Sequence, residues 1–184
     1  VLLPAARRSP DGDLMKLAIF EQRSRTFADR YPGILAWKTQ INCDGDELTS
    51  LDGCPAIVDG DFNCSENFLK NLAGGPSIIN GSYYCDDNEI TSLEGTPNVV
   101  KGSFHCTGNK LPSLKNVHKH LQVIQENAYF NNNPIESHVL GLMKIEGLKK
   151  VELDNSVLQK IINRHLAGDR NLLACQEELI DAGF

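Results

Sequence analysis

Six cysteines are the most reactive side chains of this 184-residue chain, and their spacing decides what chemistry they could do. Four of them recur at intervals of 21 residues, namely Cys43, Cys64, Cys85 and Cys106. A regular interval is typical of a structural repeat rather than of a disulfide framework, and a zinc site would need closer pairs such as C-x-x-C. We therefore expect reduced cysteines that pack in the interior as small hydrophobic side chains.

Other metal-binding patterns in the chain are weak. His118-Lys-His120 would place two imidazoles on one face of a strand, which alone is a poor metal site. The acidic runs that begin at Asp44 and Asp86 resemble calcium ligands but lack the full EF-hand loop and its terminal glutamate. We interpret both runs as turns that follow a strand, and we predict no metal and no other cofactor.

Nucleophilic catalysis finds no support in the sequence. The chain contains no G-x-S-x-G motif, no P-loop and no dinucleotide-binding fingerprint. Cys54 and Cys175 lie outside the 21-residue series and have no histidine nearby in sequence, so we expect both to be packing residues. We predict that the protein is not an enzyme.

Charge and hydropathy restrict the classes of partner. The net charge is −6, and residues 41–119 hold five Lys or Arg against eleven Asp or Glu. A nucleic acid would need clustered cations, so nucleic-acid binding is disfavoured. No stretch approaches the ~20 apolar residues of a membrane span, and the first residues do not resemble a secretory signal. We expect a cytoplasmic protein without membrane contact.

The 21-residue interval extends well beyond the cysteines. With each cysteine counted as position 0, apolar side chains recur at −2, +5, +8 and +15, and Asp or Asn recurs at +3. Three units add Gly at +10 and +17 and Pro at +12. The columns are Ile41, Phe62, Tyr83 and Phe104 at −2; Asp46, Asn67, Asn88 and Asn109 at +3; Leu48, Leu69, Ile90 and Leu111 at +5; Leu51, Leu72, Leu93 and Leu114 at +8; and Val58, Ile79, Val100 and Leu121 at +15.

This pattern predicts a solenoid of short parallel strands, because positions −2 and 0 point to the same side of a strand. The Asn column would form a ladder of hydrogen bonds inside the coil, and the glycines would sit at tight corners. A fifth, degenerate unit follows a three-residue insertion, with Ala128 at −2, Phe130 at 0, Asn133 at +3 and Ile135 at +5. We expect about four to five repeats.

Helices are predicted at both ends of the array. Asp11 or Asp13 could cap a helix that ends before Pro32 and covers the first repeat. Apolar residues at helical spacing follow Asp154, and Asp169 opens a second helix after Gly168, which together predict a helical hairpin cap. The alternative is that this hairpin docks a partner. We predict an N-terminal segment and capping helix over 1–33, repeats over 34–135 and a C-terminal helical cap over 136–184.

The unit Phe62-x-Cys-x-x-Asn-x-Leu69 resembles the core of the leucine-rich repeat pattern L-x-x-L-x-L-x-x-N-x-L. Leu48-Thr-Ser-Leu and Ile90-Thr-Ser-Leu are similar to the short repeats of secreted bacterial effectors. Gly60-Asp-Phe-Asn-Cys-Ser is closer still to the Cys-containing repeats of uncharacterised bacteriophage proteins. The resemblance covers somewhat more than half the chain and implies an α/β leucine-rich-repeat solenoid, a phage or bacterial origin and a curved binding scaffold, without implying an activity.

In such a solenoid, positions −3, −1 and +1 line the concave strand face, where we expect a protein partner of the host or the phage to bind. One alternative is a structural or virion assembly component that packs through its helical ends. Another is the recognition half of a bacterial effector whose catalytic domain is separate. The partner-binding residues that we predict are Asp61, Asn63, Tyr84, Asp86, His105 and Tyr129.

Overall fold

The structure is a computed structural model and describes residues 25–33 and 39–184. Two ladders of short parallel strands run along the molecule, one of six strands and one of four. Register partners lie 21 residues apart over the regular units, as in Ile41 with Phe62 and Ile57 with Ile78. The prediction of a parallel-strand repeat solenoid of about five turns with helices at its C-terminal end is confirmed. The six-stranded ladder holds β1 (Ile41–Asn42), β3 (Phe62–Asn63), β5 (Tyr83–Tyr84), β7 (Phe104–His105), β9 (Asn127–Tyr129) and β10 (Lys150–Glu152), and the four-stranded ladder holds β2 (Ile57–Val58), β4 (Ile78–Ile79), β6 (Val99–Val100) and β8 (Val123–Ile124).

The core consists of the inward columns that the repeat predicted. The rings of Phe62, Tyr83 and Phe104 are buried and stack at centroid distances of 5.3 and 5.6 Å. All six cysteines are free thiols, and the four of the 21-residue series are buried. The Cys85 thiol donates a hydrogen bond to the carbonyl of His105 at 3.1 Å, so it is bonded as well as packed. The cysteines therefore act as small core residues, as predicted.

The predicted asparagine ladder is confirmed at Asn67, Asn88, Asn109 and Asn133, all buried. In each, Oδ1 accepts a hydrogen bond from a backbone N–H of the preceding turn, and Nδ2 donates to carbonyls of two turns. Asp46 occupies the first position of this column, and its carboxylate instead accepts hydrogen bonds from the Tyr31 hydroxyl and from Arg30 Nε. A carboxylate suits this end because its partners from the N-terminal segment, a hydroxyl and a guanidinium group, are both hydrogen-bond donors.

The three-residue insertion lies earlier in its turn than the sequence pattern indicated. Val100 of β6 pairs with Ile124 of β8, so Ile124 and not Leu121 occupies position +15 of the fourth unit. The additional residues form the short helix α2 (Val117–His120), after which Leu121 is buried as a further core residue. The assignment of Leu121 was therefore wrong, because two apolar side chains at nearby positions satisfied the same pattern.

The N-terminal end is described only from residue 25 to 33 and again from 39. The predicted capping residues Asp11 and Asp13 and the body of that helix lie outside the described residues. Within them, Thr26 caps the short helix α1 (Phe27–Arg30), whose Phe27 is buried in the core. The backbone N–H of Phe27 donates to the carbonyl of Ser50 at 3.1 Å, which ties this helix to the first turn.

The C-terminal end contains a sixth ladder strand that the repeat pattern did not reveal. β10 pairs in parallel with β9, so the ladder continues past Ile135, and the division of the chain into three ranges stays a prediction. A 3-10 helix (Val139–Lys144) precedes β10, and α3 (Ser156–Ala167) and α4 (Leu172–Asp181) follow it as a hairpin. The second helix begins at Leu172 with Asn171 as its N-cap, not at Asp169, whose Oδ1 accepts from the Asn171 N–H at 3.0 Å.

The hairpin closes the open edge of the ladder, which supports its interpretation as a cap. Asn163 of α3 accepts from the Val151 N–H at 2.7 Å and donates to the Val151 carbonyl at 2.8 Å. Gln159 accepts from the Leu153 N–H, and Arg170 donates to the carbonyls of Ile145 and Leu148. An uncovered edge strand would present these backbone groups to another chain. In the described part of the chain, no helix has the length and apolar character that crossing a membrane requires.

Candidate interaction surface on the strand ladder

The outward side of the six-stranded ladder, here called the ladder face, carries all six of the predicted partner-binding residues. Side chains alternate along each strand, so positions −2 and 0 are buried while −3, −1 and +1 point away from the core. β10 adds a sixth row of three residues that the sequence analysis did not include. The rows are Gln40, Asn42 and Asp44; Asp61, Asn63 and Ser65; Ser82, Tyr84 and Asp86; Ser103, His105 and Thr107; Asn127, Tyr129 and Asn131; and Lys150, Glu152 and Asp154.

Small polar side chains at position −3 hold one turn to the next. Asp61 Oδ1 accepts a hydrogen bond from the backbone N–H of Ser82 at 2.7 Å. Ser82 Oγ accepts from the N–H of Ser103 at 3.1 Å, and Ser103 Oγ accepts from that of Asn127 at 3.4 Å. Glycine corners make this close approach possible, because a Cβ on Gly102 would lie 2.7 Å from the Ser82 nitrogen. The side chains at position −3 therefore have a structural function in addition to being partly exposed.

The side chains at position +1 also hold one turn to the next. Ser65 Oγ accepts from the Asp86 N–H at 3.2 Å, and Asp86 Oδ1 accepts from the Thr107 N–H at 2.6 Å. Asn63, at −1, turns its Oδ1 back to the Ser65 N–H at 3.0 Å. Three of the predicted binding residues, Asp61, Asn63 and Asp86, thus satisfy backbone donors of the solenoid. This function could not be read from the sequence, because it depends on which N–H groups the stacked turns leave unpaired.

The other three predicted residues form one continuous stack of rings. Tyr84 and His105 have ring centroids 4.5 Å apart at an interplanar angle of 25°, and His105 and Tyr129 have centroids 4.4 Å apart at 14°. The parallel register brings them together, since Tyr84 pairs with His105 and His105 with Tyr129. All three rings are half-buried, so the stack presents ring edges and polar atoms outward. Each ring supports its neighbour and fixes its orientation.

The titratable groups of the ladder face respond to this partial burial. Burial lowers the pKa of His105 below its usual value, and the nearby Asp86 carboxylate opposes that change. Burial raises the pKa of Asp86. The hydrogen bonds from Thr107 and the nearby His105 act in the opposite direction and lower it in part. A lowered pKa keeps the His105 imidazole neutral near pH 7, where it can stack on both tyrosines as an uncharged ring.

The other chemistry that the sequence suggested takes structural forms. His118 and His120 lie on helix α2 rather than on a strand, which corrects the prediction of one shared strand face. The acidic runs form turns, as expected: Gly45, Glu47 and Asp87 have positive φ angles of 67°, 60° and 52°. In residues 25–33 and 39–184, the structure contains no group of three or more side chains placed to hold a metal ion.

Cys54 and Cys175, the two thiols outside the 21-residue series, also belong to the packed interior. Cys54 is half-buried against the core and Cys175 on α4 is buried. Burial raises the pKa of both thiols, which keeps them protonated and poorly nucleophilic. Their surroundings match the prediction of packing residues.

A second exposed surface lies on the C-terminal hairpin. Leu173 and Ile180 of α4 have 65% and 60% of their surface exposed, and Val157 and Phe184 have 47% and 42%. Ile180 and Phe184 also line an apolar groove of about 170 Å³, together with Val139, Leu140, Leu158 and Leu179. Apolar area of this kind on a helix pair is a common feature of contact surfaces.

Comparison of the chain with protein-family models, with curated proteins and with solved structures gives no match. The functional interpretation therefore depends on the geometry of the ladder face and of the hairpin.

Proposed function

We propose that this protein is a non-enzymatic interaction module that binds a protein partner on its ladder face. The observation that carries the proposal is the stack of Tyr84, His105 and Tyr129, a half-buried column of rings on an otherwise small-polar surface. Tyrosine supplies a large contact area at low entropic cost, and it is enriched among the residues that dominate binding energies.

Preorganisation of the stack favours binding over simple solvation. A side chain that is ordered before binding loses less conformational entropy when a partner arrives. The rings are held by their neighbours, and the backbone beneath them is held by Asp61, Ser82 and Asp86 through hydrogen bonds to the next turn. The six predicted residues therefore have two functions. All six would contact the partner, and Asp61, Asn63 and Asp86 would in addition keep that surface rigid.

We further propose that the chain is a leucine-rich repeat protein related to the Cys-containing repeats of bacteriophage proteins. The 21-residue period and the buried column of Asn67, Asn88, Asn109 and Asn133 support this relation. On this proposal the protein acts in the bacterial cytosol on a host or phage protein.

A double substitution tests the binding site. Tyr84→Ala with His105→Ala should weaken the binding of a partner recovered by pull-down by at least about 30-fold, since that factor corresponds to the loss of ~2 kcal/mol, the contribution of a single dominant contact. The melting temperature should fall by only a few degrees, because the stacking contacts of two half-buried rings are lost while the buried core columns stay intact. Phe68→Ala is the matched control, since Phe68 is 53% exposed and does not belong to the ladder face. Equal binding by the double variant and the Phe68 control would refute the site.

An assembly component is the second candidate, and the exposed apolar side chains of the hairpin and its end, Val157, Leu173, Ile180 and Phe184, favour it. In that case the helical hairpin would pack against a neighbouring subunit of a particle. Mass spectrometry of purified particles would detect the protein in stoichiometric amounts. Leu173→Asp with Ile180→Asp should then exclude it from particles, whereas the double variant of the ladder face should not.

A further inference from the structure

We propose that the ladder face recognises a basic segment of its protein partner, rich in arginine or lysine. This inference rests on the proposed function, because it specifies the chemistry of the ligand for the same surface. Three features of the face carry it: its uncompensated charge, the environment of Asp86 and the position of the Asp86 carboxylate beside Tyr84 at one end of the stack.

The charge of the ladder face is negative and largely uncompensated. Among its eighteen side chains the only Lys or Arg is Lys150, whose Nζ lies 2.9 Å from Oε1 of Glu152. Within residues 25–33 and 39–184, no lysine or arginine forms an ion pair with the other four acidic residues of the face, which are Asp44, Asp61, Asp86 and Asp154. Such a surface attracts cationic groups and repels phosphates and acidic segments.

Asp86 is the carboxylate for which a cation would matter most. It is half-buried beside the stack, and burial raises its pKa because the ionised form is less well solvated there. Its compensation comes from hydrogen bonds of Thr107, including the backbone N–H at 2.6 Å. His105 supplies no full positive charge near pH 7, since burial lowers its pKa. A guanidinium or ammonium group of the partner would provide the missing charge.

The two end rings of the stack each lie next to a carboxylate. Inside the stack the ring faces cover one another, and the outer faces of Tyr84 and Tyr129 are turned toward their register partners Asn63 and Glu152, so a partner meets the ring edges. Asp86 is on the same side of the ladder as Tyr84, two residues along, and no described lysine or arginine pairs with it, whereas Glu152 beside Tyr129 is already paired with Lys150. At the Tyr84 end, an arginine of the partner could donate to the Asp86 oxygens while its planar cation lies against the adjoining ring.

Isosteric amides allow the charge to be removed without loss of the backbone hydrogen bonds. Asp61→Asn with Asp86→Asn keeps an Oδ1 acceptor for the Ser82 and Thr107 N–H groups and removes two charges from the face. The matched control, Asp59→Asn with Glu94→Gln, removes two charges from exposed residues outside the face. Binding of a labelled peptide of alternating arginine and serine would be measured by fluorescence anisotropy, beside a peptide with glutamate in place of arginine.

We expect the arginine peptide to bind the native protein and the glutamate peptide not to bind. The ladder-face pair should raise Kd about tenfold, equivalent to ~1.4 kcal/mol, and the control pair less than twofold. Tyr84→Ala with His105→Ala should weaken the same peptide. Equal effects of the two charge pairs, or preference for the glutamate peptide or for a nucleic acid, would overturn the inference. If the aromatic variant still lost its pull-down partner in that case, the proposed function would stand while the basic ligand was rejected.

Discussion

At the scale of single residues, the buried asparagines connect each turn to its neighbours. Asn88 accepts from the Leu69 N–H at 3.0 Å and donates to the carbonyls of Cys64, Cys85 and Asp86 at 3.0, 3.3 and 3.1 Å. Among the described residues, only Asn88 accepts from the Leu69 N–H, and leaving that group unpaired in the interior would be costly. The three carbonyls also accept from Asn67, from Asn109 and from the Glu66 N–H. One side chain thus connects backbone groups of two neighbouring turns.

Asn88→Ala should therefore lower the free energy of unfolding by about 3 kcal/mol, since it leaves the buried Leu69 N–H unpaired at ~1–3 kcal/mol and removes hydrogen bonds to three carbonyls. Urea denaturation followed by circular dichroism measures the change. Asn71→Ala is the control, because Asn71 is exposed and accepts only the local Ala73 N–H at 3.0 Å. It should cost about 0.5 kcal/mol. Similar losses for both variants would show that the ladder is not a principal source of stability.

The interior thiols make stability depend on alkaline pH. Burial raises the pKa of Cys43 to about 12 and that of Cys64 and Cys85 well above the ordinary thiol value. The folded state keeps protons that the unfolded state releases above about pH 8.5. Stability from these thiols is complete below that pH, and it falls as the pH rises toward the folded pKa values.

Each buried thiol should contribute a slope of ~1.4 kcal/mol per pH unit in this range. We expect the melting temperature to fall between pH 8.5 and 11, and Cys64→Ala with Cys85→Ala to flatten that fall while lowering stability at pH 7. Thermal unfolding across this pH series checks both effects. A slope as steep in the double variant as in the native protein would show that other groups cause the alkaline loss.

At the scale of elements, the C-terminal hairpin resolves the problem of an open strand edge. β10 is the last strand of its ladder, and Val151 at its centre would otherwise expose an unpaired N–H and carbonyl. Asn163 of α3 bonds both groups, at 2.7 and 2.8 Å, so a helix side chain replaces a further strand. This covering stops the parallel ladder from adding another chain.

Asn163→Ala should destabilise the protein by about 2 kcal/mol, because two backbone groups of Val151 lose their partner. Hydrogen exchange of the Val151 amide should become faster by the factor that corresponds to this loss of free energy. Lys160→Ala on the exposed part of the same helix controls for a general loss of helix stability. Unchanged protection of the Val151 amide in the Asn163 variant would mean that Asn163 is not what covers the edge.

At the scale of the whole molecule, the solenoid has two different ends joined by a uniform centre. One end is tied by α1 and the pairing of Tyr31 and Arg30 with Asp46, and the other by the hairpin. The central turns contact only their neighbours, so the stability of the array depends on closed ends. The same linear order places the rings of the ladder face in one continuous stack.

Removal of residues 136–184 should convert the protein into soluble aggregates, because β9 would become an open edge beside an exposed core. Removal of residues 172–184 alone keeps α3 over β10 and should give a less stable monomer. Sedimentation velocity distinguishes the two results. A stable monomer that ends at Ile135 would show that the hairpin is dispensable for capping.

How much of this protein could be predicted from its sequence depends on whether the property is periodic. The period of 21 determined the strands, the buried columns at −2 and 0, and the asparagine ladder, because each turn must stack in register on the next. It also placed Tyr84 and His105 at the same outward position, −1, of neighbouring strands, and it identified the degenerate unit at Phe130. These properties follow from spacing alone, and spacing can be read along the chain.

Only the tertiary structure decided what spacing leaves open. It placed the insertion before Ile124 rather than after Leu121, added β10 without a repeat motif, and assigned Asp61, Asn63 and Asp86 to backbone donors. It also joined the three rings into a stack. The reason is that unpaired N–H groups, open edges and ring contacts belong to pairs of turns, and neither member of a pair specifies them by itself.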